Sequence, residues 1–292
     1  MSFSYRGETK ELNEVTRKEA SGSFVELSGG ITHYELSNPE VEETIILVHG
    51  FSVPYFIYDS TFEFLTRSGF RVLRYDLFGR GYSDRPISRY DIDLFVRQLG
   101  DLVDALRFAH PFSLVGLSLG GPVAATYSVQ HPERVKKLVL IDPAGAQAID
   151  NSLTVRVAKT PVVGELLFGQ IGSSRMINSV ASNFFDPVLV EHFQSRYRVQ
   201  MQYKGFMRAI LSTMRNGMLG QFRDVYQRLG KMHQPVLLFW GRDDNTIPFR
   251  HSDDLRALIP AIEFRAIENC GHTPHYEKPD EVNPILLKFL KE

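Results

Sequence analysis

The sequence predicts an α/β protein: a mostly parallel, twisted sheet flanked by helices and interrupted by a helical insertion. Three observations carry this. Near-continuous runs of β-branched and large apolar residues recur along the chain, the signature of strands covered on both faces. Between them lie stretches with helical spacing, so strand and helix alternate. The alternation then breaks between about residues 146 and 231, where no convincing buried strand is found.

Residues 1–22 mix Arg, Lys and Glu with no apolar stretch and read as a charged N-terminal arm. Segments 24–27 and 31–36 flank Gly29-Gly30, which predicts an antiparallel hairpin at the sheet edge. Buried strands are predicted at 44–48, 71–75, 113–115, 137–141 and 235–240, and a further strand at 263–267. Between the second and third of these, Leu94, Phe95, Leu99, Leu102, Val103 and Leu106 recur at close to the ~3.6-residue helical period, so an amphipathic helix is expected. An alanine-rich helix follows over 122–130. The chain therefore divides into the arm, a core at 23–145 and 232–292, and a helical cap at 146–231. Within the cap, Pro161, Gly164, Gly169, Gly172, Pro187, Gly205, Gly217 and Gly220 break the helical segments.

At 292 residues the chain can bury a large core, and a net charge of -1 offers no electrostatic case for nucleic acid. A small-molecule substrate is expected. A single cysteine, Cys270, allows no intrachain disulfide, which points to a reducing, cytoplasmic setting. The cap carries more Lys and Arg than Asp and Glu. A basic cap suits anionic substrates or peripheral contact with an anionic membrane, and solvated helix faces are the plainer alternative.

The chemistry is concentrated at Gly116-Leu117-Ser118-Leu119-Gly120, a G-x-S-x-G pentapeptide between an apolar strand and a helix start. A serine on such a turn sits in a strained backbone conformation, so Gly116 and Gly120 supply the clearance that lets its hydroxyl project. A hydroxyl is a poor nucleophile unless an imidazole removes its proton and a carboxylate fixes that imidazole. His272, after the strand at 263–267 and a short loop, is the candidate base, with His275 as competitor. Asp243 and Asp244 follow the strand ending at Trp240, and either can supply the acid; Asp142, just past Ile141, is the runner-up.

With these motifs in order, the chain from about residue 24 to 290 resembles the α/β-hydrolase superfamily, and leans toward its capped serine esterase and monoacylglycerol-lipase-like branch. Besides the pentapeptide and the order Ser118, Asp244, His272, the resemblance rests on His49-Gly50-Phe51, the family's oxyanion-loop motif. It also rests on Asp76-Leu77-Phe78-Gly79-Arg80-Gly81-Tyr82-Ser83, its D-x-x-G-x-G-x-S turn. The family's strand-end Gly-x-x-Asp pattern selects Asp244 over Asp243. The resemblance implies a triad of Ser118, His272 and Asp244, with backbone N–H groups of Phe51 and Leu119 stabilising the oxyanion. It implies that His49 shapes the oxyanion loop and that Asp76 ties its turn.

The implied reaction is hydrolysis of a hydrophobic carboxylic ester through an acyl-enzyme, with no cofactor and no metal. A serine nucleophile argues against the dehalogenases and epoxide hydrolases of this fold, which use an aspartate. Serine C–C bond hydrolases and perhydrolases share the triad and are the alternative. The aromatic residue expected after Gly-His in C–C hydrolases is replaced by Thr273, which lowers that branch. A non-catalytic ligand-binding homologue is the reading from another class, disfavoured because every piece of the machinery is present. For the pocket wall the candidates are Phe168, Phe184 and Phe206 of the cap, and segment 161–169 reads equally as a lid or a buried helix.

Overall fold

The computed structural model describes residues 5–149 and 153–292; residues 1–4 of the arm and 150–152 of the cap lie outside the described residues. Eight strands form one sheet: β1 (Ser23–Leu27), β2 (Gly30–Ser37), β3 (Thr44–Val48), β4 (Arg71–Tyr75), β5 (Phe112–Leu117), β6 (Val135–Ile141), β7 (Val236–Gly241) and β8 (Glu263–Ile267). Their spatial order is β1-β2-β4-β3-β5-β6-β7-β8. The β1–β2 hairpin runs antiparallel at one edge, and β2 meets β4 antiparallel. From β4 to β8 every pairing is parallel.

The apolar runs explain the sheet. Successive side chains point to opposite faces. Thus Ile45, Leu47, Val115, Leu117, Val139, Ile141, Leu237 and Phe239 enter one core, while Ile46, Val48, Leu114, Leu138, Leu140, Leu238 and Trp240 enter the other. A strand buried on both faces cannot alternate apolar with polar, hence the continuous runs.

The helices, in order, are α1 (Glu14–Arg17), α2 (Asp59–Arg67), α3 (Ile92–Ala105), α4 (Gly120–Gln130), α5 (Leu153–Lys159), α6 (Val163–Ser179), α7 (Val188–Gln200), α8 (Phe206–Arg215), α9 (Arg223–Leu229), α10 (His251–Leu258), α11 (Pro274–Glu277) and α12 (Pro279–Lys291). Phe62 and Leu65 of α2 and Val282, Leu286 and Phe289 of α12 cover the first face. Leu94, Leu99 and Val103 of α3, Val123 and Tyr127 of α4, and Leu255 of α10 cover the second. The amphipathic helix expected from Leu94 to Leu106 runs from Ile92 to Ala105, and Asp91 caps its start, its carboxylate accepting from the Leu94 N–H at 3.1 Å.

Helices α5 to α9 fill the stretch between β6 and β7, where the sequence shows no buried strand. Four of them, α5 to α8, pack on one another. The fifth, α9, packs on α4 instead: Tyr226 and Leu229 join the core, and the Tyr226 hydroxyl donates to the Ala144 carbonyl at 2.6 Å. Segment 161–169 forms the start of α6, with Gly164, Phe168 and Gly169 buried while Leu166 and Leu167 are exposed. The arm is tied to this layer. The Arg6 N–H donates to the Gly169 carbonyl at 2.7 Å, and the Lys10 backbone exchanges bonds with Gln202 and Lys204. The Glu8 carboxylate accepts from the N–H groups of Gly205 and Met207, capping α8.

Candidate active site

Ser118 stands between β5 and α4 with φ at 53°, in the left-handed region that non-glycine residues rarely occupy. Neighbouring backbone holds it there. Its N–H donates to the Ile141 carbonyl at 2.9 Å, and its own carbonyl accepts from Gly121 and Ala144. The flanking glycines are sterically required, because a Cβ on Gly116 would lie 2.4 Å from the Gly120 carbonyl oxygen, and one on Gly120 2.2 Å from that of Val48. Ser118 is 8% exposed, at the floor of a cavity of about 350 Å³.

His272 lines the same cavity and is delivered by the loop after β8. Its Nδ1 lies 2.7 Å from Asp244 Oδ2, while Asp244 Oδ1 accepts from the N–H groups of Thr246 and Ile247 at 2.7 and 2.9 Å. A carboxylate so held accepts a proton-bearing Nδ1, which leaves Nε2 with the lone pair a general base needs. Gly241 lets the two loops meet: a Cβ there would stand 1.9 Å from the Gly271 carbonyl oxygen.

The loop at 49–51, where the sequence places an oxyanion donor, is built around His49. Its Nε2 accepts from the Leu77 N–H at 2.9 Å, so its Nδ1 carries the proton and donates to the Gly50 carbonyl at 2.9 Å. That carbonyl belongs to the peptide whose N–H is Phe51's, so the imidazole both fixes and polarises this donor. Burial pushes His49 down to about 4, against the opposing pull of Asp76, so the ring is neutral at ordinary pH. Arg80, fully buried, donates to the carbonyls of Phe51 and Phe78 and to Thr213 of α8. Asp76 ties the turn together by accepting from the N–H groups of Tyr55 and Tyr82 and from His33 Nδ1. Burial is the largest single influence on Asp76 and would raise it, but the His33 bond and charge, His49 and the Tyr55 N–H together outweigh it and hold the carboxyl below its ordinary value. Among the described residues, the Phe51 and Leu119 amides are paired with no protein acceptor.

Other sequence candidates fall elsewhere. His275 is fully buried against the Tyr58 ring, 4.6 Å between centroids, and burial followed by His272 depresses it to about 3. Asp243 is exposed. Asp142 is fully buried beside Asp244, and one ligand-type atom each from Asp142, Asp244 and His272 lie within 4.8 Å of one another. Of the three cap phenylalanines, Phe168 lines the cavity. Phe184 packs instead on Phe193 and Tyr276, and Phe206 on Tyr197, because the helical layer needs its own aromatic core.

Two residues escaped motif reading. The Asn183 carbonyl accepts from the His272 N–H at 2.7 Å, and its side chain accepts from the Thr246 hydroxyl at 2.9 Å, so one residue ties the loops that carry His272 and Asp244. The Glu277 carboxylate accepts from the N–H groups of Gly271 and Phe185, joining the His272 loop to the cap.

A nucleophile-elbow serine above a doubly covered parallel sheet, with a carboxylate-held imidazole in the same cavity, defines the class: an α/β hydrolase. Residues 45–285 match the Alpha/beta hydrolase family, and the chain belongs to it. It is 29% identical to 2-hydroxy-6-oxononadienedioate/2-hydroxy-6-oxononatrienedioate hydrolase 1 of Pseudomonas putida, over 96% of this chain and 99% of that protein. With human monoacylglycerol lipase ABHD6 the identity is 25%, over 86% of this chain and 76% of that one. Among solved structures, the meta-cleavage product hydrolase of Pseudomonas fluorescens IP01 superposes with a TM-score of 0.75 at 22% identity, covering 92% of this chain and 97% of that one. The protein is a hydrolase. Among the described residues no helix is long and apolar enough to cross a membrane.

Proposed function

We propose that the protein is a serine hydrolase that cleaves carboxylic esters with a hydrophobic acyl or aromatic group through an acyl-enzyme. Ser118 attacks the carbonyl carbon, His272 Nε2 takes the hydroxyl proton and returns it to the leaving oxygen, and Asp244 orients the ring. The Phe51 and Leu119 amides receive the developing oxyanion. Water, deprotonated by the same imidazole, then releases the acid. The observation that carries the reading is the His272–Asp244 bond at 2.7 Å beside the left-handed Ser118, in a cavity walled by Phe51, Val53, Leu117, Phe168, Met176 and Ile210. The test is turnover of short and medium p-nitrophenyl esters together with fluorophosphonate labelling. Ser118→Ala should abolish labelling and lower turnover at least ~1000-fold while leaving the thermal melt in place. An active, still-labelled variant would defeat the assignment.

A second reading, C–C bond hydrolysis, is favoured by one specific feature. Among the described residues, Arg175 is the only Lys or Arg in the cavity wall, and the Pseudomonas putida relative is named for dioate substrates. The mechanism needs no new residue: the same serine and imidazole act on a ketone whose departing carbon is protonated.

Lipid contact belongs with the ester reading. Val162, Val163, Leu166, Leu167 and Ile171 are 44 to 60% exposed at and along α6, the helix whose other face supplies Phe168 and Met176 to the cavity. Exposed Arg156 and Arg175 flank this apolar stripe. Such a surface fits an anionic lipid interface from which an ester enters the cavity.

A further inference from the structure

Asp142 directly follows β6 and is 0% exposed, with φ at 40°, a second non-glycine residue in the left-handed region at this sheet edge. Its Oδ1 accepts from the Gly241 N–H at 2.9 Å. Its Oδ2 is buried and has no hydrogen-bond partner, although carboxylate oxygens of Asp142 and Asp244 and a nitrogen of His272 lie within 4.8 Å of one another. A second buried carboxyl beside a triad acid is not required by the mechanism above. Two carboxylates at this separation, both out of water, do not both ionise.

The donors decide which one keeps the charge. Asp244 receives three, the Thr246 and Ile247 N–H groups and His272 Nδ1, whereas Asp142 receives one. The remaining ionisable groups around this spot are Glu277, Cys270 and the buried His251 and His275; burial lowers His251 and depresses His275 to about 3, so none of the four favours a second negative charge. Burial pushes Glu277 above its ordinary value, and burial with the Glu277 charge pushes the Cys270 thiol up. Asp142 itself is driven well above the usual carboxylate range, first by burial and then by the Asp244 charge.

We propose that Asp142 and Asp244 form one carboxyl pair carrying a single negative charge, in which Asp142 holds the proton, positions Asp244, and takes over as the acid facing His272 when the Asp244 charge is removed. This rests on the triad reading. In an Asp244→Asn protein the Asp142 proton passes to solvent, and the resulting carboxylate accepts the hydrogen bond of His272 Nδ1–H. Asp142 is thus a positioning residue in the natural protein and a reserve acid in the variant.

Two measurements test it. The infrared difference spectrum of wild type minus Asp142→Asn at neutral pH should contain the carbonyl stretch of a protonated acid; a carboxylate stretch in its place overturns the proposal without reference to turnover. The second is the rate of fluorophosphonate labelling of Ser118, which is independent of whether esters or C–C bonds are the true substrates. Asp142→Asn alone should slow labelling less than about 3-fold, Asp244→Asn about 100-fold, and the double variant about 10,000-fold, the loss typical of a triad left with no acid. The residual labelling of Asp244→Asn should show an acidic limb in its pH profile that vanishes in the double variant. Equal factors for Asp142→Asn in both backgrounds would make its role structural and overturn the proposal. Should Asp244→Asn unfold, Asp244→Ala replaces it. Wild type that is never labelled would instead bring down the triad itself.

Discussion

His49 shows how a residue away from the reacting atoms sets the chemistry. Its Nδ1–H bond to the Gly50 carbonyl holds the Phe51 amide in position, and its Nε2 holds the Leu77 turn. Replacing His49 with Phe removes both bonds while keeping a ring in the space. We expect kcat to fall about 10-fold with KM nearly unchanged, less than the ~100-fold or more lost when an oxyanion donor is itself deleted. A change confined to KM would refute this role. His275 makes the complementary case for stability. Its folded value, depressed to about 3 by burial and then by His272, lies below the ordinary 6.5, so the unfolded chain binds a proton that the folded one refuses. Stability from this group is complete above the unfolded value and is lost as pH falls from 6.5 toward 3, at about 1.4 kcal/mol per pH unit. His49, depressed from 6.5 to about 4, acts in the same direction over the same range, whereas Asp76, depressed from 3.8, adds its loss only below that value. Urea midpoints should therefore drop between about pH 7 and pH 5, and the drop should be smaller in His275→Asn. An equal drop would remove His275 from the account.

Among elements, the strands were legible because double burial leaves an unmistakable pattern: predicted 44–48 and 71–75 coincide with β3 and β4, and 113–115 is the middle of β5. The latter strand extends to Phe112 and Leu117 because its ends pair with Val135 and Ile141, neighbours that no local pattern announces. Helix α9 was placed with the cap for a related reason. Its sequence is helical either way, and its packing on α4 through Tyr226 and Leu229, with the Tyr226 bond to Ala144, appears only in the fold. Helix α6 is different again, since 161–169 read equally as lid or buried helix and the structure divides it, one face buried and one exposed. That division makes a prediction. If the exposed stripe meets anionic lipid, the protein should float with phosphatidylserine-containing vesicles, less so at high salt, and Leu166→Ser with Leu167→Ser should weaken flotation without lowering turnover of a soluble ester. Flotation unchanged by those substitutions would assign the stripe another role.

At the scale of the whole molecule, the site is where two layers meet, and this explains what the sequence could and could not reveal. Ser118, Asp244 and His272 each follow a strand, so strand prediction and residue chemistry nominate Ser118 and His272 and narrow the acid to Asp243 or Asp244, with Asp142 as runner-up; the choice of Asp244 comes from the family's Gly-x-x-Asp pattern. Asn183 lies 63 residues from the Thr246 it bonds, on a turn of the helical layer with no motif of its own, and only folding brings it onto the His272 loop. The same junction fixes what the cavity can select. Its wall is mainly apolar, from Phe51 and Val53 on the sheet side to Phe168, Met176 and Met214 on the helical side, with Arg175 as the one Lys or Arg among the described residues that line it. A neutral medium-chain ester therefore gains from burial alone, whereas a substrate with a carboxylate remote from the scissile bond gains a charge-assisted hydrogen bond as well. Arg175→Leu keeps the bulk and removes the charge. It should raise KM for carboxylate-bearing substrates about 10-fold, the equivalent of ~1.4 kcal/mol, and leave KM for neutral esters within about 2-fold. Because Arg175 also borders the α6 stripe, the assay uses monomeric substrates without vesicles, so that a change in KM reads the cavity and not lipid binding. Equal KM changes for both substrate classes would show that the arginine senses the surface, and would return the choice between ester and C–C bond cleavage to the apolar wall.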